Sequence, residues 1–154
     1  MADPRFFQRQ GPYRLSELAA ISGAEIADAA TADILIEDIA ALETAGPGQL
    51  SFLDNKAYIN AFATSRAPAC IVAAKHAGRA PDGMALLLSE QPYRAFALIA
   101  QAFYPRPKPL ASVSDAATVD ASAVLGPDCQ IQAGAVIAAG AKLGRHCAVG
   151  AHAT

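Results

Sequence analysis

The chain has 154 residues, of which 53% are hydrophobic and 17% charged, and its net charge is −2 at neutral pH. That balance supports a buried core and excludes a disordered segment, and the scattered Lys and Arg argue against a nucleic-acid surface. No apolar run reaches about 18 residues, so no membrane-spanning helix is predicted; MADPRFFQRQGPYRL reads without a secretory signal, and an odd number of cysteines fits reduced thiols in a cytoplasm.

In chain order, residues 1–104 read as a mixed α/β domain. LSELAAISGAEI places Leu15, Leu18 and Ile21 at helical spacing, with Ser16 as the predicted N-cap and Gly23 as the stop. The aliphatic run Ile34–Ile36 predicts a strand, and GQLSFL predicts another after the turn at Gly46-Pro47-Gly48. DNKAYINAFATS then reads as a helix capped by Asp54 or Asn55. ACIVAA (69–74) and MALLLS (84–89) are short apolar runs of the kind that form buried strands. QPYRAFALIAQAFYP predicts a helix with Pro92 in its first turn and Phe96, Ile99 and Phe103 on one apolar stripe.

Pro105, Pro107 and Pro109 stiffen the next stretch, so 105–112 reads as an extended linker. From Val113 the sequence changes character. Written in sixes it is VSDAAT VDASAV LGPDCQ IQAGAV IAAGAK LGRHCA VGAHAT. The first place is always aliphatic (Val113, Val119, Leu125, Ile131, Ile137, Leu143, Val149). The fifth is always small (Ala117, Ala123, Cys129, Ala135, Ala141, Cys147, Ala153), and Gly126, Gly144 and Gly150 share the second. Six residues make a short strand and a turn. The aliphatic residue points inward, the small one sits inward at the bend, and glycine is expected to take the strained backbone at corners. One turn cannot bury its own face, so the turns must stack into a solenoid.

This repeat resembles the hexapeptide motif of the left-handed parallel β-helix, in which three hexads form one triangular coil. The resemblance implies the start of such a β-helix over 113–154, and an acyltransferase, since most proteins with the motif are. With 18 residues per coil, Cys129 and Cys147 should stack in neighbouring coils at strand-like spacing, either close enough for a disulfide or simply as two small buried residues.

An α/β domain at 1–104, a proline-rich joint at 105–112 and hexapeptide repeats at 113–154 together resemble one family, the UDP-3-O-acylglucosamine N-acyltransferases of lipid A biosynthesis. In that family the N-terminal domain binds the uridine of the nucleotide-sugar, through an aromatic, an Asn and a Tyr each three residues apart. LSFLDNKAY matches with Phe52, Asn55 and Tyr58. The chemistry fits the spacing: two rings can cover the faces of a pyrimidine, and an amide carries both a donor and an acceptor for its edge. The competing reading makes Phe52 and Tyr58 core residues and Asn55 only an N-cap.

The resemblance further implies transfer of a 3-hydroxyacyl chain from acyl carrier protein to the 2-amine of the sugar, in a homotrimer, with no metal or diffusible cofactor. The family's catalytic His lies in a later segment resembling QIAHN, which this sequence lacks. His146 and His152 both occupy the fourth place of a hexad and read as exposed turn residues, so no catalytic residue is assigned. The sequence stops at the seventh hexad without a cap, which reads as an N-terminal fragment inactive by itself. Two other readings stand beside the enzyme: a non-catalytic uridine-nucleotide-binding module, and a β-helix scaffold.

Overall fold

The computed structural model describes residues 7–105 and 109–154, which fall into two units, Met1–Pro105 and Arg106–Thr154. The centre of the expected linker, 106–108, lies outside the described residues.

The first unit is built on β1 (Tyr13–Arg14), α1 (Leu15–Ser22), β2 (Glu25–Ile26), β3 (Leu35–Ile36), β4 (Asp38–Ile39), β5 (Gln49–Leu53), α2 (Ile59–Ala63), β6 (Ala69–Val72), β7 (Ala85–Leu88) and α3 (Pro92–Phe103). A five-stranded sheet has the order β2-β7-β6-β5-β4. β4 to β7 run parallel and β2 joins antiparallel at the edge. Alternation along the strands divides the core in two. Leu50, Ile71 and Leu87 meet Leu15 and Leu18 of α1 and Ile99 and Phe103 of α3. Leu53, Cys70 and Val72 meet Leu42 and Phe62 on the other face. All four residues of β6 are buried, as a parallel strand covered on both faces requires.

Three local expectations are corrected. α1 starts two residues earlier than Ser16 as N-cap demands, with Arg14 at the cap position. Its first N–H groups are met from the chain itself, Leu15 donating to the Ile34 carbonyl and Ser16 to that of Ala32, while Glu17 accepts from the Arg14 N–H at 2.7 Å. Ile21 is exposed, and Ala19 takes its place in the core. The single helix expected over 54–65 is a 3-10 turn, Lys56–Tyr58, followed by the short α2.

Among its described residues the second unit has seven two-residue strands: β8 (Ser112–Val113), β9 (Thr118–Val119), β10 (Val124–Leu125), β11 (Gln130–Ile131), β12 (Val136–Ile137), β13 (Lys142–Leu143) and β14 (Ala148–Val149). They form three parallel ladders, β10-β13, β14-β11-β8 and β12-β9. Every pairing joins residues eighteen apart, as in Leu125 with Leu143 and Ile131 with Val149. Ile131, Ala135 and Ile137 are buried at the centre, with Val119, Leu125 and Leu143 packed against them, so the first and fifth places point inward from Val119 on, whereas Val113, expected in the same column, is exposed.

The backbone strain sits elsewhere than expected. It falls on the fourth place, where Asp128, Gly134, Gly140, His146 and His152 all have φ between 56° and 72°. Gly126 answers a different demand. A Cβ there would lie 2.6 Å from the carbonyl carbon of Gly144 in the next coil, so the stacked backbones leave it no room. Cys129 and Cys147 are free thiols, and the Cys129 Sγ donates to the Gly144 carbonyl at 3.1 Å.

Candidate functional site

Strands β4 to β7 all end at the same edge of the sheet, and crevices outside the carboxyl ends of parallel strands are where such folds hold ligands. A cavity of about 450 Å³ opens there. Ala41, Leu42 and Glu43 enter from the segment after β4, and Phe52 and Leu53 from the end of β5. Asp54, Asn55 and Tyr58 follow from the turn after β5, and Tyr93 from the first turn of α3. Phe52, Asn55 and Tyr58, singled out by their spacing, therefore line one cavity. A strand ending in a 3-10 turn achieves this because neither a continued strand nor an immediate α-helix would aim all three residues at the same space.

The aromatic residues differ in how firmly they are held. Phe52 stacks on Phe96 with ring centroids 4.2 Å apart and planes 23° from parallel, so one face is already covered. Tyr93 approaches the same ring at 5.9 Å and 60°. Tyr58 and Tyr93 are 52% and 64% exposed, and neither belongs to the core. Asn55 does act as an N-cap, its Oδ1 accepting from the Ala57 N–H at 2.9 Å. That bond also orients the amide. An N–H can only be met by the oxygen, so the Nδ2 donors point away from the turn.

The lining is apolar apart from Asn55, the phenols and the acidic side chains of Glu43 and Asp54, and among the described residues no Lys or Arg borders it. Such a surface suits a flat, uncharged ring and disfavours phosphate inside the cavity. Behind it, the buried Asp38 at the start of β4 accepts from the Tyr104 hydroxyl at 2.6 Å, with Arg9 3.5 Å away. Burial first, and then the Asp38 carboxylate, push the Tyr104 phenol up to about 12. The pair ties the end of α3 to the edge strand whose other end leads into the cavity.

Tyr93 was missed by sequence reasoning. The signal was present, because it precedes Phe96 by three and extends the stripe of Ile99 and Phe103, but a stripe alone does not say where the core stops and a cavity begins. His146 and His152 stand at exposed corners of the hexad unit; His146 Nδ1 lies 3.6 Å from Asp128 Oδ2 in an open pair.

Comparison with known proteins bears on both units. The profile of the UDP-3-O-(3-hydroxymyristoyl) glucosamine N-acyltransferase family matches residues 33–102. The profile of the bacterial transferase hexapeptide (six repeats) matches residues 122–154. A UDP-3-O-acylglucosamine N-acyltransferase of Parvibaculum lavamentivorans is 51% identical over 105 residues, covering 68% of this chain and 30% of the relative. The UDP-3-O-acylglucosamine N-acyltransferase 2 of Legionella pneumophila is 38% identical over 134 residues, covering 87% and 39%. A protein with the first of these names from Bradyrhizobium is 35% identical over 150 residues, covering 97% and 42%. The matched span is thus 30% to 42% of the length of these relatives.

Proposed function

The chain belongs to the UDP-3-O-acylglucosamine N-acyltransferase family, and from that premise we propose that it supplies the uridine-recognition part of such an enzyme. The observation that carries the reading is the cavity at the carboxyl edge of the sheet, which gathers Phe52, Asn55 and Tyr58 around a space of about 450 Å³. In this reading the uracil ring lies between Tyr58 and the free side of Phe52. Asn55 donates from Nδ2 to a base carbonyl while its Oδ1 holds the turn. The apolar and acidic character of the described lining residues supports the base as occupant, with the diphosphate directed outward.

The reaction proposed for the whole enzyme is N-acylation in lipid A biosynthesis. The 2-amine of UDP-3-O-(3-hydroxyacyl)glucosamine attacks the thioester carbonyl of a 3-hydroxyacyl group on acyl carrier protein. A C–N bond forms, the C–S bond breaks, the amine gives its proton to a general base and the carrier thiol leaves. We assign that base to neither His146 nor His152, both of which are exposed corner residues. The second unit is proposed as the opening coils of a left-handed β-helix, and the working enzyme as a cytoplasmic homotrimer.

The test is a calorimetric titration of the chain with UDP. Binding that weakens about five- to a hundredfold in Phe52→Ala and Tyr58→Ala supports the slot. Parent-like affinity in both, with lower melting temperatures, would make the two aromatics core residues instead. In an assay with carrier-linked acyl donor and 3-O-acylated sugar nucleotide, the chain alone is expected to give no turnover. Turnover lost on His146→Ala would overturn that assignment.

A further inference from the structure

We propose that Tyr93 is a ligand-contacting, specificity-determining residue that forms a third aromatic wall of the cavity and packs against the bound base; this rests on the uridine reading given above. The argument starts at Phe52. One face of its ring is spent on Phe96, and its other aromatic neighbour is Tyr93, at 5.9 Å and 60°. A flat ligand that reaches Phe52 from the cavity therefore comes to lie beside Tyr93. A core role for Tyr93 does not fit. Ile99 and Phe103, further along the same stripe, are fully buried, whereas Tyr93 is 64% exposed and its ring borders the cavity. An aromatic surface left in water at the wall of a cavity gains most of its burial when a second flat ring is seated there.

The backbone is prepared for this. Tyr93 follows Pro92, which occupies the first turn of α3 and restricts the helix start, so binding has only two side-chain torsions to order. Tyr93 also sets the width of the slot. It stands on α3, while Tyr58 stands on the turn after β5, so the two exposed phenols bound the opening from different elements. Removing one wall widens the space in which a base can sit, and the cost falls more on a one-ring pyrimidine than on a two-ring purine, which still reaches the walls that remain.

The experiment titrates the full chain with UDP and, separately, ADP, by ligand-observed NMR and calorimetry. It compares the parent with Tyr93→Phe, Tyr93→Ala and Tyr58→Ala and records each melting temperature. Expected for Tyr93→Ala is a loss of UDP affinity of about tenfold, a smaller UDP-over-ADP preference and an unchanged melting temperature, while Tyr93→Phe stays close to the parent. UDP binding retained in Tyr93→Ala but lost in Tyr58→Ala would overturn the role of Tyr93 and leave the uridine slot standing. Equal loss of both nucleotides together with a lower melting temperature would make Tyr93 structural. A parent that binds neither nucleotide would overturn both the slot and the wall.

Discussion

In the hexad unit a strand finds its ladder partners eighteen positions away, always in the same column: Val113, Ile131 and Val149 make one ladder. In the α/β unit the neighbours follow no interval. Tyr13 meets Phe103 at 5.1 Å, and Leu50 of β5 shares a core with Leu15, Ala69 and Ile99. The first arrangement leaves a narrow interior, filled by small and aliphatic side chains and limited by how closely backbones stack. The second encloses large side chains such as Phe62 and Phe103, both fully buried. The two units should therefore fail in opposite ways, one when atoms are added and the other when they are removed.

The largest effect belongs to removal. Phe62→Ala should cost about 3–5 kcal/mol, read as a lower urea midpoint and as lost amide protection along β5 and β6. Addition comes next. Gly126→Ala should cost about 1–3 kcal/mol, because the obstructing atoms are the backbone of Gly144 and Arg145 rather than a side chain that can turn aside. Gly78→Ala, in the first unit, should by comparison be nearly silent, since no atom lies within 4 Å of a Cβ built there. Equal stabilities for the two variants would break the account of coil stacking.

A smaller test separates the two duties of Asn55. Asn55→Ala should cost about 1 kcal/mol through the lost cap, and Asn55→Asp should keep that stability because a carboxylate still accepts from the Ala57 N–H. Both should weaken UDP binding, since neither leaves a donor for the base. Asn55→Asp with parent-like affinity would sink the donor role. The smallest effect is at high pH. Tyr104 is raised from 10.0 to about 12, by burial first and then by its bond to Asp38. Below pH 10 the phenol is neutral in both states and its contribution is complete. As pH rises through that interval the unfolded chain ionises first and stability falls. Absorbance titration should show a late-ionising phenol that Tyr104→Phe removes. Because burial raises the Cys70 thiol from 9.0 to about 12 as well, Tyr104→Phe should reduce the alkaline loss without abolishing it.

Legibility differed along the same line. Period six fixes which side chains face inward whatever the rest of the chain does, since each coil answers only to the coils beside it. The columns of Ile131 and Ala135 could therefore be read directly. The corner strain could not, because Asp, Gly and His at the fourth place share no obvious pattern until their common positive φ is seen. In the α/β unit, strands β5, β6 and β7 and helix α3 were marked by apolar runs and a stripe. β1, β2 and β4, two residues each, carry too few side chains to make any pattern. The cavity divides in the same way. Phe52, Asn55 and Tyr58 share one stretch of seven residues, and its match to a family motif marked them together. Tyr93 lies thirty-five residues after Tyr58, and only the packing of α3 beside β5 brings it to the same space. The sequence by itself determined what a local or periodic interaction can determine: the stacked hexads and the buried strands. The tertiary structure alone decided that Phe52 gives one face to Phe96 and that Tyr93 closes the cavity, because both depend on where the end of one strand meets the start of a distant helix.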